Sequence, residues 1–148
     1  MELSPVMDLF DVLVRYETHL WNHLDDRLRT DGQVSLATLS ALRVVRAHAG
    51  ECRVQELRTD LGITVGAASK VVDRLERDGL AVRGANPDDR RSSLVTLTPA
   101  GDVAHDEGVA LLEAALADHL ADEAGVEQAT LVLTRLMTTL TAPAEVSR

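Results

Sequence analysis

Leu57-Arg58-Thr59-Asp60-Leu61-Gly62-Ile63-Thr64-Val65-Gly66-Ala67-Ala68-Ser69-Lys70-Val71-Val72-Asp73-Arg74-Leu75-Glu76-Arg77-Asp78-Gly79 is the stretch whose reading decides the fold. Val54, Leu57 and Leu61 mark a short helix that Gly62 stops, and Thr64 caps a further helix running to Asp78, with Gly79 just past its end. The link Leu61-Gly62-Ile63-Thr64 leaves room only for a tight turn, so the two helices form a helix-turn-helix. On a wheel of about 100° per residue, Val65, Ala68, Val72 and Leu75 make one apolar stripe. Gly66, Ala67, Lys70, Arg74 and Arg77 gather on the other side, with Ser69 at the flank. That face suits entry into a nucleic-acid groove: the small first turn allows close approach to base edges, and the basic residues reach bases or phosphates.

Beyond Gly79, Leu80-Ala81-Val82-Arg83 and Leu94-Val95-Thr96-Leu97 are β-prone runs separated by the turn-rich segment 84–93. They read as a hairpin whose tip carries Asp88-Asp89-Arg90-Arg91. An arginine on a protruding ribbon can enter a minor groove, where negative potential is strongest, and an adjacent carboxylate can orient its guanidinium by a bidentate pair.

On the N-terminal side, Ser35 caps a helix carrying Leu36, Leu39 and Leu42 that ends at Ala49-Gly50. Ser4-Pro5 opens a long helix with Leu9, Leu13, Leu20, Leu24 and Leu28, ending near Asp31-Gly32. Its apolar length exceeds one small core and calls for a second subunit. On the C-terminal side, Thr98-Pro99 opens a fifth helix with Val109, Leu112, Leu116 and Leu120, and Gly125 breaks it. A last helix uses Leu133, Leu136, Met137 and Leu140, and a loose tail is expected from Thr141 to Arg148. The expected fold class is mainly α with a small β-hairpin wing: a winged helix-turn-helix between long N- and C-terminal dimerisation helices. Residues 1–33 are the first dimerisation helix, 34–98 the winged lobe and 99–148 the C-terminal dimerisation helices of one compact protomer.

The chain has 148 residues and a single Phe10, Tyr16 and Trp21, so its core is aliphatic. The lone Cys52 excludes an internal disulfide framework and a Cys-rich zinc site. The acidic start and the absence of a run of about 18 apolar residues lead us to expect a cytoplasmic protein. A net charge of −9 opposes binding to phosphate, but the charge is unevenly spread. Residues 1–41 carry −4, residues 42–97 carry +2 and residues 98–148 carry −7. A local basic surface governs DNA contact over a Debye length, so the total does not exclude it.

Taken together, Ser69-Lys70-Val71-Val72-Asp73-Arg74-Leu75-Glu76-Arg77-Asp78-Gly79-Leu80 and Asp89-Arg90-Arg91-Ser92-Ser93-Leu94-Val95-Thr96-Leu97-Thr98-Pro99-Ala100-Gly101 resemble the MarR family of bacterial regulators. The resemblance implies a homodimer held by the first, fifth and sixth helices, acting as a repressor on a pseudo-palindromic operator in double-stranded DNA. It also implies that Arg91 is the minor-groove arginine with Asp89 as its orienting partner, and that Ser69, Lys70 and Arg74 are the recognition-helix contacts. Arg77, Arg90, Gly66 and Ala67 complete the expected DNA surface. Thr64-Val65-Gly66-Ala67-Ala68 departs from the pattern in being small and poor in hydrogen-bonding groups, which shifts specificity toward Lys70, Ser69 and DNA shape.

The same resemblance implies release by a small aromatic or phenolic effector between the dimerisation helices and the lobe. Tyr16, His19, Trp21, His23, Arg43 and Arg46 are the candidates for its pocket. His19 and His23 stand four apart, a spacing that could place two imidazoles on one metal, with Asp26 nearby. A polar face is the better reading, and no metal or cofactor is expected. Cys52 lies between the second and third helices, outside the first-helix position of the family's oxidant sensors, and reads as a buried thiol. No phosphate-cradling loop, nucleophile elbow or His-Glu-x-x-His motif supports an enzyme. The alternative is a winged-helix docking or dimerisation module without specific DNA binding. It predicts a neutral or acidic outer face on the fourth helix, against Lys70, Arg74 and Arg77.

Overall fold

In the computed structural model, residues 4–142 are described. The element order is α1 (Pro5–Thr30), α2 (Leu36–Ala47), α3 (Val54–Leu61), α4 (Val65–Arg77), β1 (Ala81–Ala85), β2 (Ser93–Leu97), α5 (Pro99–Leu120) and α6 (Val126–Thr141). Thr141, where the loose tail was expected, is the last residue of α6, and the expectation for 143–148 lies outside the described residues.

Local chemistry sets these boundaries. Ser35 and Thr64 each accept a hydrogen bond from the backbone N–H three residues on, capping α2 and α4. At α3 the Glu56 carboxylate reaches back to accept from the Arg53 backbone N–H at 2.8 Å. Gly62 and Gly79 end α3 and α4 at φ 63° and 71°, the left-handed region in which a side chain is strained. Asp25 on α1 accepts from the Leu36 N–H at 2.8 Å, tying α1 to the start of α2.

Two compact units divide the chain between Ala115 and Leu116. The first holds α1 to α4, the hairpin and most of α5. Its core gathers Ala41, Leu42, Val45, Cys52, Leu57, Ala68, Val72, Leu75, Ala81 and Val95, all buried. α1 contributes Leu24 and Leu28 to the buried set, while Leu9 and Leu13 of its expected stripe stay exposed. β1 and β2 pair antiparallel from Ala81↔Leu97 to Ala85↔Ser93. The strands therefore run further toward the tip than the sequence suggests, because backbone pairing carries Gly84 and Ala85 along without side-chain burial. The Val95 N–H also donates to the Cys52 carbonyl at 2.7 Å, attaching the α2–α3 connection to the free edge of β2.

Thr98 fastens the hairpin to α5: its N–H donates to the Leu80 carbonyl, and its hydroxyl donates to the Gly79 carbonyl at 2.6 Å and accepts from the Gly101 N–H. A Cβ at position 101 would run into the Leu80 carbonyl oxygen, so the sequence Thr98-Pro99-Ala100-Gly101 meets a steric demand. In the second unit, α6 turns Leu131, Val132, Leu133, Leu136, Met137 and Leu140 outward. No described helix is long and apolar enough to cross a membrane.

Candidate nucleic-acid interface

α4 separates its faces as the wheel predicts, with one correction. Ala68, Val72 and Leu75 are buried, but Val65 is 56% exposed. Its phase is right, yet the first turn of α4 stands beyond the end of the core, which the helix reaches only from Ala68 onward. Gly66, Ala67, Lys70, Arg74 and Arg77 are exposed together, and Ser69 is half-buried at the flank. Arg77 pairs with Asp78 at 3.1 Å. Among the described residues, no ion pair engages Lys70 or Arg74.

Local hydrogen bonds shape the wing tip. Asn86 Oδ1 accepts from the Asp88 N–H at 3.0 Å, and Asn86 Nδ2 donates to Ser92 Oγ at 3.0 Å, closing the loop from both sides. Asp89 Oδ1 accepts from the Arg91 backbone N–H at 2.9 Å. The carboxylate therefore fixes the chain beneath Arg91, in place of the bidentate grip on its guanidinium expected from sequence: a side chain two residues away meets the turning backbone first. Arg90 and Arg91 are exposed, with no ion pair among the described residues.

Sequence reasoning missed the link between these two surfaces. Arg83, on β1, forms ion pairs with Asp73 Oδ1 at 2.8 Å and with Glu76, and donates to the Ser69 carbonyl at 3.4 Å. Partial burial works against its charge, but the bonds to both carboxylates outweigh that and hold its pKa above the ordinary arginine value. The available signal was strand alternation, which puts Arg83 on the inward side with Ala81.

Of the residues expected around an effector, five are surface side chains in the single chain and one is engaged by α5. Tyr16, His19, Trp21, His23 and Arg43 are exposed on α1 and α2. Arg46 is drawn instead to α5, pairing with Asp102 at 2.8 Å and Asp106 at 3.3 Å, one helical turn apart. It lines a small cavity of about 120 Å³ with Val45, Val95 and Leu97. A larger cleft of about 450 Å³ lies between the α2–α3 connection and the wing loop, against His48, Arg53, Glu56 and Asp89. There the Arg53 hydrogen bond holds the Glu56 carboxyl below its usual range, and His48 Nε2 lies 2.8 Å from Asp60. Cys52 is fully buried, and desolvation, helped by Glu56 and Asp60, pushes its pKa up to about 11. Among the described residues, no group of three His, Cys, Asp or Glu side chains is placed to hold a metal ion.

Residues 33–92 match the model of the MarR family. The HTH-type transcriptional regulator MhqR of Bacillus subtilis is 28% identical over 118 residues, spanning 78% of this chain and 74% of MhqR. Among solved structures, the MarR family regulator Sco3205 of Streptomyces coelicolor, in complex with DNA, superposes with a TM-score of 0.83 at 22% identity, covering 100% of this chain and 95% of that one. CouR superposes with a TM-score of 0.77 at 26% identity when bound to a 23-mer DNA duplex, covering 95% and 98% of the two chains. CouR of Rhodococcus jostii RHA1 bound to p-coumaroyl-CoA gives 0.79 at 21% identity, covering 95% and 96%. The matched span begins just before α2 and ends at the wing tip, taking in the helix-turn-helix, Arg83 and the Asp89–Arg91 turn, so over that span the chain is similar in sequence and fold to the MarR family.

Proposed function

We propose that the chain is a sequence-specific, DNA-binding transcriptional regulator that acts as a homodimeric repressor in the cytoplasm. The observation that carries this reading is the exposed pair Lys70 and Arg74 on α4, uncommitted to any acidic partner among the described residues, beside a wing whose tip presents Arg90 and Arg91. In a protein of net charge −9, basic groups left free on one surface are suited to phosphate and base edges. Lys70, Ser69 and Arg74 read the major groove, and Gly66 and Ala67 let the first turn of α4 approach. Arg77 and Arg90 meet phosphate. Arg91 enters the minor groove from a tip that Asp89 holds in shape.

The dimer rests on bare apolar surface. Val6, Leu9, Phe10 and Leu13 on α1, and Leu133, Leu136 and Leu140 on α6, are all exposed in the single chain. A second copy that covers such residues places two recognition helices about 34 Å apart, one turn of DNA. By analogy with CouR, we infer that a small aromatic or phenolic effector binds against Tyr16, His19, Trp21, His23 and Arg43 and changes that spacing.

Selection of bound duplexes from random-sequence DNA tests the reading. Enrichment of an inverted repeat is the expected result. Absence of any enriched sequence would favour a docking module instead.

A further inference from the structure

We propose that Arg83 is a positioning residue for DNA recognition, clamping the root of the wing to the recognition helix so that the two reading surfaces are presented at one fixed separation. The inference rests on the DNA-binding reading above.

Three observations support it. The acceptors that Arg83 meets, Ser69 O, Asp73 Oδ1 and Glu76, lie at i, i+4 and i+7 of α4, a single stripe between its buried and basic faces. Arg83 is also where β1 leaves the core: Ala81 is buried and the Arg83 side chain is 28% exposed, while Gly84 and Ala85 are open to solvent. Beyond it, β1 supplies no apolar anchor for the wing. Finally, a planar guanidinium presents its donors in a rigid fork that fixes the directions of its acceptors, whereas the three donors of an ammonium rotate on a flexible stem. The clamp thus controls how far the Arg91 tip stands from Lys70 and Arg74 while touching no DNA itself.

A competing role for Arg83 is simple neutralisation of Asp73 and Glu76 beside the phosphates. Arg83→Lys separates the two, because it keeps the charge and loses the fork. The test uses the full chain and the duplex that wild-type protein enriches most strongly, with affinity read by fluorescence anisotropy. Arg83→Lys should weaken binding about tenfold in the wild-type background and less than about twofold in an Arg91→Ala background, since a misplaced wing then has no minor-groove arginine left to deliver. Asp73→Asn combined with Glu76→Gln breaks the clamp from the helix side and should show the same non-additivity with Arg91→Ala, so misfolding of one variant still leaves a decisive measurement. Wild-type affinity in Arg83→Lys, or an equal loss in both backgrounds, overturns the positioning role. If the wild-type protein enriches no duplex, the DNA-binding reading falls, and this inference with it.

Discussion

The winged lobe and the N-terminal half of α1 are built from the same aliphatic residues, yet one is finished by its own chain and the other is not. In the lobe, Leu42, Leu57, Val72 and Val95 come from four different elements and bury one another. Along α1, burial begins only at Leu24, and Phe10 is 59% exposed among Val6, Leu9, Val12 and Leu13. Helical phase alone does not bury a residue; a neighbouring element must lie over it. What the comparison teaches is that exposed apolar length on a well-formed helix measures how much of the fold a partner has to supply.

The strongest way to break the comparison is to attack the finished side. Leu42→Ala removes a fully buried side chain and should destabilise the lobe by about 2 to 5 kcal/mol in urea unfolding, since the surrounding elements cannot collapse fully into the space. Phe10→Asp attacks the unfinished side. It should leave the helical circular dichroism intact and weaken self-association by about 2 kcal/mol or more, read by sedimentation. An unchanged dimer would show that the bare part of α1 is not the interface.

Lys70→Ala sharpens the comparison on the outer surface of the lobe. It should leave stability and association alone and reduce the preference for operator over random DNA by about 1 to 3 kcal/mol. Equal loss on both would make Lys70 a phosphate contact. Arg91→Ala should weaken operator binding with fold and dimer unchanged, and lower the salt slope of binding by about one; an unaltered titration would take the wing out of the mechanism.

The smallest effect concerns Cys52. Its folded pKa of about 11 lies above the ordinary 9.0, so the native state holds the thiol proton more tightly than the unfolded chain does. The resulting contribution to stability is present below pH 9.0 and is lost as pH rises through about 11. At about pH 8, iodoacetamide should label Cys52 slowly in native protein and rapidly in urea. Fast native labelling would mean that the lobe opens locally at the α2–α3 connection.

Most of the fold was legible in the chain because its determinants are local. Ser35, Thr64 and Thr98 cap what their positions announce, Gly62 and Gly79 stop the helices they follow, and the spacing of Ala68, Val72 and Leu75 gives the buried face of α4. The exposed basic face of α4 was legible for the same reason, since helical phase sorts Lys70, Arg74 and Arg77 away from the core. The positions that sequence misread or missed all depend on what lies across space. Val65 has the phase of a core residue but nothing over it, and Arg46 is taken by Asp102 and Asp106 from a helix more than fifty residues on. Asp89 grips backbone where a guanidinium was expected. The Arg83 clamp exists only because β1 returns along α4.

By itself, then, the sequence determined which segments are helix, turn and strand, and which side of α4 is apolar, because caps, glycines and periodicity act within one or two turns of chain. Tertiary structure alone decided which apolar residues find cover and which charges find partners, because burial and ion pairing are set by distances between elements that no local spacing contains.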